Sequence, residues 1–163
     1  MTLGNIGVTL HVRLVLESIE QNNGLLLRRD KESGEWKFPS IEGEVLPGES
    51  GACALVRLTS KLYGIELQSV ARVQPVSLET SDLLVPIPFW HCVNWIGQLL
   101  PECNPATRVV PIKQGSQSAD VLSEGVISHM WVEKGFFGWF QTSATTKRVY
   151  EVLSRMNLSY VRC

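Results

Sequence analysis

The chain has 163 residues, of which 44% are hydrophobic and 19% are charged, and its formal net charge at pH 7 is −1. This composition is typical of a globular protein and excludes an intrinsically disordered chain, and the length predicts one domain over residues 1–163. The near-zero charge disfavours nucleic acid as a partner, because no overall positive field would attract it. The sequence has no apolar run of transmembrane length and no signal-peptide pattern, which predicts a cytoplasmic protein with no membrane partner.

Three segments near the N-terminus are predicted strands. Apolar residues alternate with mostly polar ones over residues 8–16, which is the pattern of a half-buried strand. A polar turn precedes a second short strand over residues 24–28, and a third strand starts at Trp36. A small basic cluster that ends the second strand is expected on a solvated surface: Arg28, Arg29 and Lys31.

The stretch over residues 36–65 has the clearest local pattern. After the short strand it continues as a tight acidic loop that ends at Glu49, and then as an amphipathic helix. Glu49 and Ser50 suit a helix start, and Gly64 suits the left-handed residue that follows a helix end. Because free backbone N–H groups point out of a helix N-terminus, this junction is a natural site for an anion.

The second half of the chain is predicted to contain three more strands and a closing helix. The strands are expected over residues 66–76, 89–96 and 126–132. A long irregular stretch, 97–123, separates the last two, and loops of this length tend to be functional or mobile. The final elements are a short turn or helix over 133–140, with its aromatics inward, and a helix over 142–156 capped by Thr142 or Ser143.

The cysteines and histidines form no metal-binding pattern. The four cysteines are far apart and include no C-x-x-C pair, whereas a zinc site needs clustered ligands. Free thiols in a reducing cytosol are therefore expected at all four: Cys53, Cys92, Cys103 and Cys163. The histidines are isolated in predicted strands, where structural roles are more frequent than ligand roles: His11, His91 and His129.

The spacing of four residues within the 36–65 stretch resembles the Nudix box, the signature of a superfamily of nucleoside-diphosphate hydrolases. The box reads G-x5-E-x7-R-E-U-x-E-E-x-G-U, where U is an aliphatic residue. The residues that match it without a gap are Gly43, Glu49, Arg57 and Gly64. The resemblance implies an α/β fold, the Nudix-type α/β/α sandwich with a mixed central β-sheet, in which these four residues brace the box.

The chain also departs from the family pattern. Leu58, Lys61 and Leu62 stand where the family carries glutamates. Nudix hydrolases use Mg²⁺ or a similar ion to bind the diphosphate and activate water, and hard cations need several oxygen ligands. The three positions share one side of the helix at about 100° per residue. The usual metal site, and with it the need for a metal cofactor, is therefore expected to be lost.

The main functional hypothesis is a non-hydrolytic module that binds a nucleotide, a nucleoside-diphosphate derivative or a protein partner. The candidate ligand-binding residues are Lys61, Arg28, Glu42 and Gly43. The Lys61 ammonium group could hold a phosphate as a point charge where the family places its metal. The competing interpretation of Lys61 is an ordinary exposed helix lysine. Nudix domains often dimerise, so the resemblance also permits a homodimer.

The alternative hypothesis is an active Nudix hydrolase that cleaves a nucleoside diphosphate linked to another moiety. Mg²⁺ or Mn²⁺ would then be held by non-standard carboxylates, with Glu44 and Glu49 as the catalytic and metal-binding candidates. Other loop carboxylates that could contribute are Glu42, Glu79 and Asp82. Accurate placement of ligands favours rigid elements, which weighs against a metal site rebuilt on loops.

Overall fold

The computed structural model of the protein describes residues 8–73, 80, 85–103, 128–139 and 142–163, so most of the predicted irregular stretch lies outside it. Within these ranges the chain forms ten strands: β1 Val8–Ser18, β2 Gly24–Arg29, β3 Trp36–Lys37, β4 Ser40–Val45, β5 Ile65–Leu67, β6 Val70–Val73, β7 Phe89–Cys92, β8 Trp95–Gly97, β9 His129–Val132 and β10 Tyr160–Val161. The same ranges contain two α-helices, α1 Gly51–Tyr63 and α2 Ala144–Leu153, and two 3₁₀ helices, Ile19–Gln21 and Lys134–Trp139.

The main sheet is built around β1. The first half of β1, from Val8 to Arg13, pairs antiparallel with β4, and the part from Arg13 to Leu16 pairs in parallel with β7. Only Glu17 and Ser18, at the end of β1, pair antiparallel with β2. β2 also pairs with β3 and β9, while β6 joins β7 to β10 at the far edge. The sheet is therefore mixed, as predicted.

The sheet lies between the two helices because successive side chains of a strand point to opposite faces. On one face, Leu14 of β1 belongs to a buried cluster that includes Leu55 of α1. On the other face, Val15 belongs to a second buried cluster that includes Phe38 and Val149 of α2. These two apolar layers confirm the predicted α/β/α sandwich.

Both helices begin with the side-chain caps that their sequences favour. Ser50 accepts a hydrogen bond from the Cys53 amide, and Ser143 accepts one from the Thr146 amide. Gly64 follows α1 in a left-handed conformation, with φ of 76°, which glycine adopts without strain. In the described part of the chain, no helix has both the length and the apolar character needed to cross a membrane.

Several predicted elements differ from the structure. Residues 40–45 form β4 and not an acidic loop, because Ile41 is buried and the whole segment pairs with β1. The predicted strands 66–76 and 89–96 are each interrupted, and their pieces β5 and β8 pair in a separate two-stranded sheet. α2 ends at Leu153, and the chain then adds β10 after the helix that was predicted to close it.

The expectation of four free thiols is wrong for two of them. Cys53, in the first turn of α1, and Cys163, just after β10, form a disulfide whose Cα atoms are 4.7 Å apart. Cys92 and Cys103 are free and buried. Sequence spacing could not reveal the pair, because 110 residues separate the two cysteines and β10 brings them together only by joining the edge of the sheet.

Candidate functional site

Glu49 and Arg57 fasten the loop before α1 to the helix. The Arg57 guanidinium donates from Nε and Nη2 to the two carboxylate oxygens of Glu49, at 2.9 and 3.0 Å. Arg57 also donates to the Glu44 carbonyl, and the Glu49 carboxylate accepts a hydrogen bond from the Leu46 amide. The guanidinium holds the pKa of Glu49 below its usual range. Both side chains therefore fix the path of the loop onto the helix.

Leu58 occupies the first position where the resemblance implies a metal-binding glutamate. Its side chain is buried against Gly43 of β4, where any added Cβ would fall on the leucine methyl groups. Only glycine therefore allows α1 and β4 to approach this closely. The Leu58 side chain offers no oxygen atom to a cation.

Lys61 and Leu62 occupy the other two glutamate positions and are exposed in the last turn of α1. Within the ranges that the structure describes, no three His, Cys, Asp or Glu side chains come together in a way that could hold a metal ion. Hard divalent cations require several oxygen ligands, with carboxylates among them. The side chains at these helix positions therefore do not fit Mg²⁺.

The carboxylates of the alternative hypothesis are bound by other side chains or exposed on β4. Glu49 is held by the arginine of the box, and Glu42 lies 3.0 Å from His11 Nε2. Glu44 is exposed further along β4. Two more of these carboxylates lie outside the described residues: Glu79 and Asp82.

A cavity of about 310 Å³ lies where β1 and β2 diverge. The two strands pair with each other only near the turn that joins them. Farther from that turn, β1 pairs with β4 and β2 pairs with β3. Five cationic and two acidic side chains line the gap, for a formal charge of +3: Arg13, Arg28, Arg29, Lys31, Lys37, Asp30 and Glu32. This cationic cavity favours an anionic ligand.

Hydrogen bonds and strand register position the cations of this cavity. Arg13 donates from Nη1 to the Phe38 carbonyl at 3.0 Å. Lys37 pairs with Asp30 at 3.0 Å, and this ammonium holds the pKa of the Asp30 carboxyl below its usual range. Arg28 lies directly opposite Lys37 in the β2–β3 pair, and Arg13 lies opposite the start of β4. Pairing of the strands thus gathers cations that are distant in sequence.

A chain of hydrogen bonds joins the end of α1 to β9, where His129 lies opposite Arg28 of β2. The Tyr63 hydroxyl lies 3.0 Å from His129 Nε2, and His129 Nδ1 lies 2.8 Å from the Ser128 hydroxyl, which donates to the Glu102 carbonyl. Burial and the positive charge of Arg28 lower the pKa of His129 to about 4, so its ring is neutral at pH 7. The network therefore assigns Nε2 as the acceptor from Tyr63 and Nδ1–H as the donor to Ser128.

The structure places only one of the predicted ligand-binding residues in the cationic cavity. Arg28 lines it, whereas three others do not: Lys61, Glu42 and Gly43. Sequence reasoning missed Arg13 and Lys37. The sequence contains one signal for Arg13. It is a cation at a polar position of the alternating first strand, and the next predicted strand ends in two more arginines.

No protein-family model and no curated protein sequence matches the chain. Solved structures do match it over nearly its whole length. The E. coli ORF135 protein aligns over 95% of this chain and 94% of its own, with 19% identity and a TM-score of 0.56. A MutT structure from work on Aliivibrio salmonicida and Vibrio cholerae aligns over 91% and 98%, with 17% identity and a TM-score of 0.56. MutT from Bacillus halodurans aligns over 94% and 97%, with 15% identity and a TM-score of 0.56.

At this level of identity the likeness shows the fold alone. The matches span almost all of each chain, and the mixed sheet between α1 and α2 agrees with them. The chain therefore has the fold of the MutT proteins, the Nudix α/β/α sandwich.

Proposed function

We propose that the protein binds a nucleoside diphosphate or a derivative of one through its phosphate groups, without hydrolysing it. The observation that supports this most is the cationic cavity, with its formal charge of +3. It lies next to a helix that carries Leu58, Lys61 and Leu62 where Nudix hydrolases carry metal-binding glutamates. The volume of about 310 Å³ suits a small-molecule ligand.

Arginine side chains are the main reason to expect phosphate in this cavity. A guanidinium is a planar fork that donates two parallel hydrogen bonds to phosphate oxygens. Arg13 is held by the Phe38 carbonyl, so its guanidinium is ordered before a ligand arrives. Arg28 lies opposite Lys37 in the β2–β3 pair, and both of these cations also line the cavity. Preordered groups lose less entropy on binding. We assign Arg28 as the principal phosphate contact, supported by Arg13 and Lys37.

The lack of hydrolysis is inferred from the box itself. Cleavage of a diphosphate in this family relies on a metal ion that neutralises charge and activates water. Leu58 is buried against Gly43, and Glu49 is bound by Arg57, so none of the four positions at which the family carries a glutamate offers a free carboxylate to a metal. The cations of the cavity would neutralise the phosphates but would not generate a nucleophile.

Lys61 has a smaller part in this proposal. Its side chain is exposed in the last turn of α1 and does not line the cationic cavity. An exposed charge contributes little to a local interaction, because solvent screens it. We expect Lys61→Ala to change the affinity for a nucleoside diphosphate by less than about twofold.

Calorimetric titration of ADP-ribose, with EDTA or with Mg²⁺ present, tests the proposal. We expect binding in EDTA, and we expect Arg28→Gln to weaken it at least about tenfold, because a charged hydrogen bond contributes about 1.5–3 kcal/mol. Lys147→Gln removes an exposed cation of α2 outside the cavity and is the matched control. Binding that requires Mg²⁺, or an equal loss in both variants, would refute the assignment.

A hydrolysis assay separates this proposal from the alternative of an active hydrolase. We expect no release of AMP from ADP-ribose in Mg²⁺ or in Mn²⁺. Release that depends on the metal and disappears in Glu44→Gln would favour the alternative, with Glu44 and Glu49 as ligands. Glu44 is exposed on β4, so its substitution leaves the core intact.

A further inference from the structure

A second cavity, of about 400 Å³, lies between the end of β1 and the segment that follows α2. It shares no lining residue with the cationic cavity. One part of its wall is apolar and includes Leu153, Met156 and Leu158, and another part carries Glu17 and His91. The proposed nucleotide-binding function uses none of these residues.

Glu17 places an ionised carboxylate in the wall of this second cavity. Its side chain is only 10% exposed, and it accepts hydrogen bonds from His91 Nε2 at 3.1 Å and from Asn23 Nδ2 at 2.8 Å. Burial alone would raise the pKa of Glu17, but these hydrogen bonds and the charge of Lys134 outweigh burial, and the pKa is lowered. The carboxylate is therefore negative at neutral pH.

Lys134 is a loosely placed counter-ion for this carboxylate. Its Nζ lies 3.6 Å from Glu17 Oε1, and its side chain is 47% exposed. That separation is too long for a hydrogen bond, so a ligand ammonium at about 2.8 Å would interact more strongly. The cavity thus matches a protonated amine on an apolar body, with the amine in the place of the Lys134 ammonium group.

Tyr160 forms the outer part of the wall. A carboxylate can only accept, so His91 donates from Nε2–H to Glu17, and His91 Nδ1 lies 2.5 Å from the Tyr160 hydroxyl oxygen. The His91 and Tyr160 rings are also in contact, with centroids 5.8 Å apart. Whichever group donates in this hydrogen bond, the Tyr160 oxygen keeps a lone pair and is a further acceptor at the cavity.

A covalent bond secures the segment that carries Tyr160. β10 is only two residues long, and its residues Tyr160 and Val161 are 43% and 47% exposed. Little apolar surface is buried by side chains this exposed, so packing stabilises the strand weakly. The disulfide between Cys53 and Cys163 ties the chain to α1 just two residues after the strand. Loss of this bond would leave β10 with few contacts on the sheet edge.

We propose that this second cavity is a ligand site for a small molecule with a protonated amine on an apolar body, and that the Cys53–Cys163 disulfide holds its outer wall in place. In the reduced protein β10 separates from β6 and Tyr160 separates from His91. The site then loses a wall and a hydrogen-bond acceptor, so binding there is coupled to the thiol redox state.

The redox step is thiol–disulfide exchange with a dithiol reductant. One thiolate of the reductant attacks a sulfur of the disulfide, forms a mixed disulfide, and releases the other cysteine as a thiolate that takes up a proton. The second thiol of the reductant then displaces the remaining cysteine. Two electrons pass to the protein, which gains thiols at Cys53 and Cys163, and the reductant becomes a cyclic disulfide.

NMR titration of tryptamine, a primary amine on an aromatic body, into the oxidised protein tests the site. We expect perturbed His91 imidazole resonances, about threefold tighter binding in Lys134→Ala, and at least about tenfold weaker binding in Glu17→Gln. Lys147→Ala, an exposed cation of α2 outside the cavity, should leave the affinity unchanged. A lack of binding, or an affinity that neither cavity variant alters, would overturn the proposed site.

The role of the disulfide is tested on the same protein. Reduction with dithiothreitol should weaken tryptamine binding at least about fivefold and speed hydrogen exchange at Val70 and Ala71, the β6 partners of β10. Cys163→Ser should reproduce both effects, and dithiothreitol should change nothing further in that variant. Equal affinity and exchange before and after reduction would overturn the role of the disulfide while leaving the amine site standing.

Discussion

At the scale of single residues, the proposed function depends on replacing a metal ion by fixed cations. Leu58 removes an oxygen ligand that Mg²⁺ would need, whereas Arg28 supplies a permanent positive charge beside the end of α1. A guanidinium can hold a phosphate, but it does not activate water as a metal does. Under the proposed function, the same exchange would preserve binding of the phosphate groups and remove hydrolysis.

His129 should titrate far below an ordinary histidine. Its pKa is lowered to about 4 from 6.5, first by burial and then by the charge of Arg28. The unfolded chain then binds the proton more readily, so stability falls as the pH drops from 6.5 to 4, by up to about 1.4 kcal/mol per pH unit. Imidazole NMR resonances should report a midpoint near 4. A midpoint near 6.5 would show that His129 is not buried beside Arg28.

Glu49→Gln should lower the melting temperature at pH 7 but not at low pH. The Arg57 guanidinium lowers the pKa of Glu49 from 4.5, so this stabilisation is present above pH 4.5 and is lost as the pH falls through the folded-state value. Thermal unfolding at pH 7 and at pH 3 measures both cases. Glu66→Gln, an exposed glutamate of β5, is the matched control. An equal deficit at both pH values would rule out the ion pair as its cause.

At the scale of elements, α1 and β4 form a unit because they touch where only a glycine fits. The box loop between them is short and is fastened by Glu49 and Arg57, so the register of β4 on β1 also sets the position of α1. Leu58 then fills the contact on Gly43. A substitution at that contact should therefore destabilise both α1 and β4.

Gly43→Ala should destabilise the protein by about 2 kcal/mol, because the new methyl group overpacks the contact with Leu58. In the Leu58→Ala variant the space beside residue 43 is open. Adding Gly43→Ala to that variant should therefore lower the free energy of unfolding much less than Gly43→Ala lowers it in the unchanged protein. Urea unfolding of the two single variants and the double variant gives the coupling. Gly51→Ala, at a site with nothing within 4 Å of the new methyl group, is the control. Additive costs would disprove the direct contact.

The helices could be predicted from the sequence because their signals are local. Ser50, Ser143 and Gly64 mark helix ends through hydrogen bonds and backbone angles within a few residues. β4 was missed because its residues read as a polar, acidic loop. In the structure Ile41 is buried while Glu42 faces solvent, so β4 has one buried face and one solvent-exposed face.

At the scale of the whole molecule, the division of the sheet creates the candidate site. β1 pairs with β2 only next to the turn between them and with β4 over its first half. The gap between β1 and β2 is the cationic cavity. Sequence reasoning named Arg28 as a candidate ligand contact but could not combine it with Arg13 and Lys37, because only the folded strands bring the three to one cavity. The disulfide could not be predicted from the sequence for the same reason, since Cys53 and Cys163 come into contact only in the folded chain.

One ³¹P NMR experiment on ADP-ribose mixed with the protein tests the central claim most directly, because it reports binding and cleavage together. The cationic cavity predicts that both phosphate resonances shift or broaden in EDTA and that no AMP signal grows. It also predicts that Mg²⁺ in excess of EDTA adds no change beyond the one that Mg²⁺ causes in ADP-ribose without the protein. Resonances that respond only after Mg²⁺ is added, followed by a growing AMP signal, would contradict metal-free binding without hydrolysis.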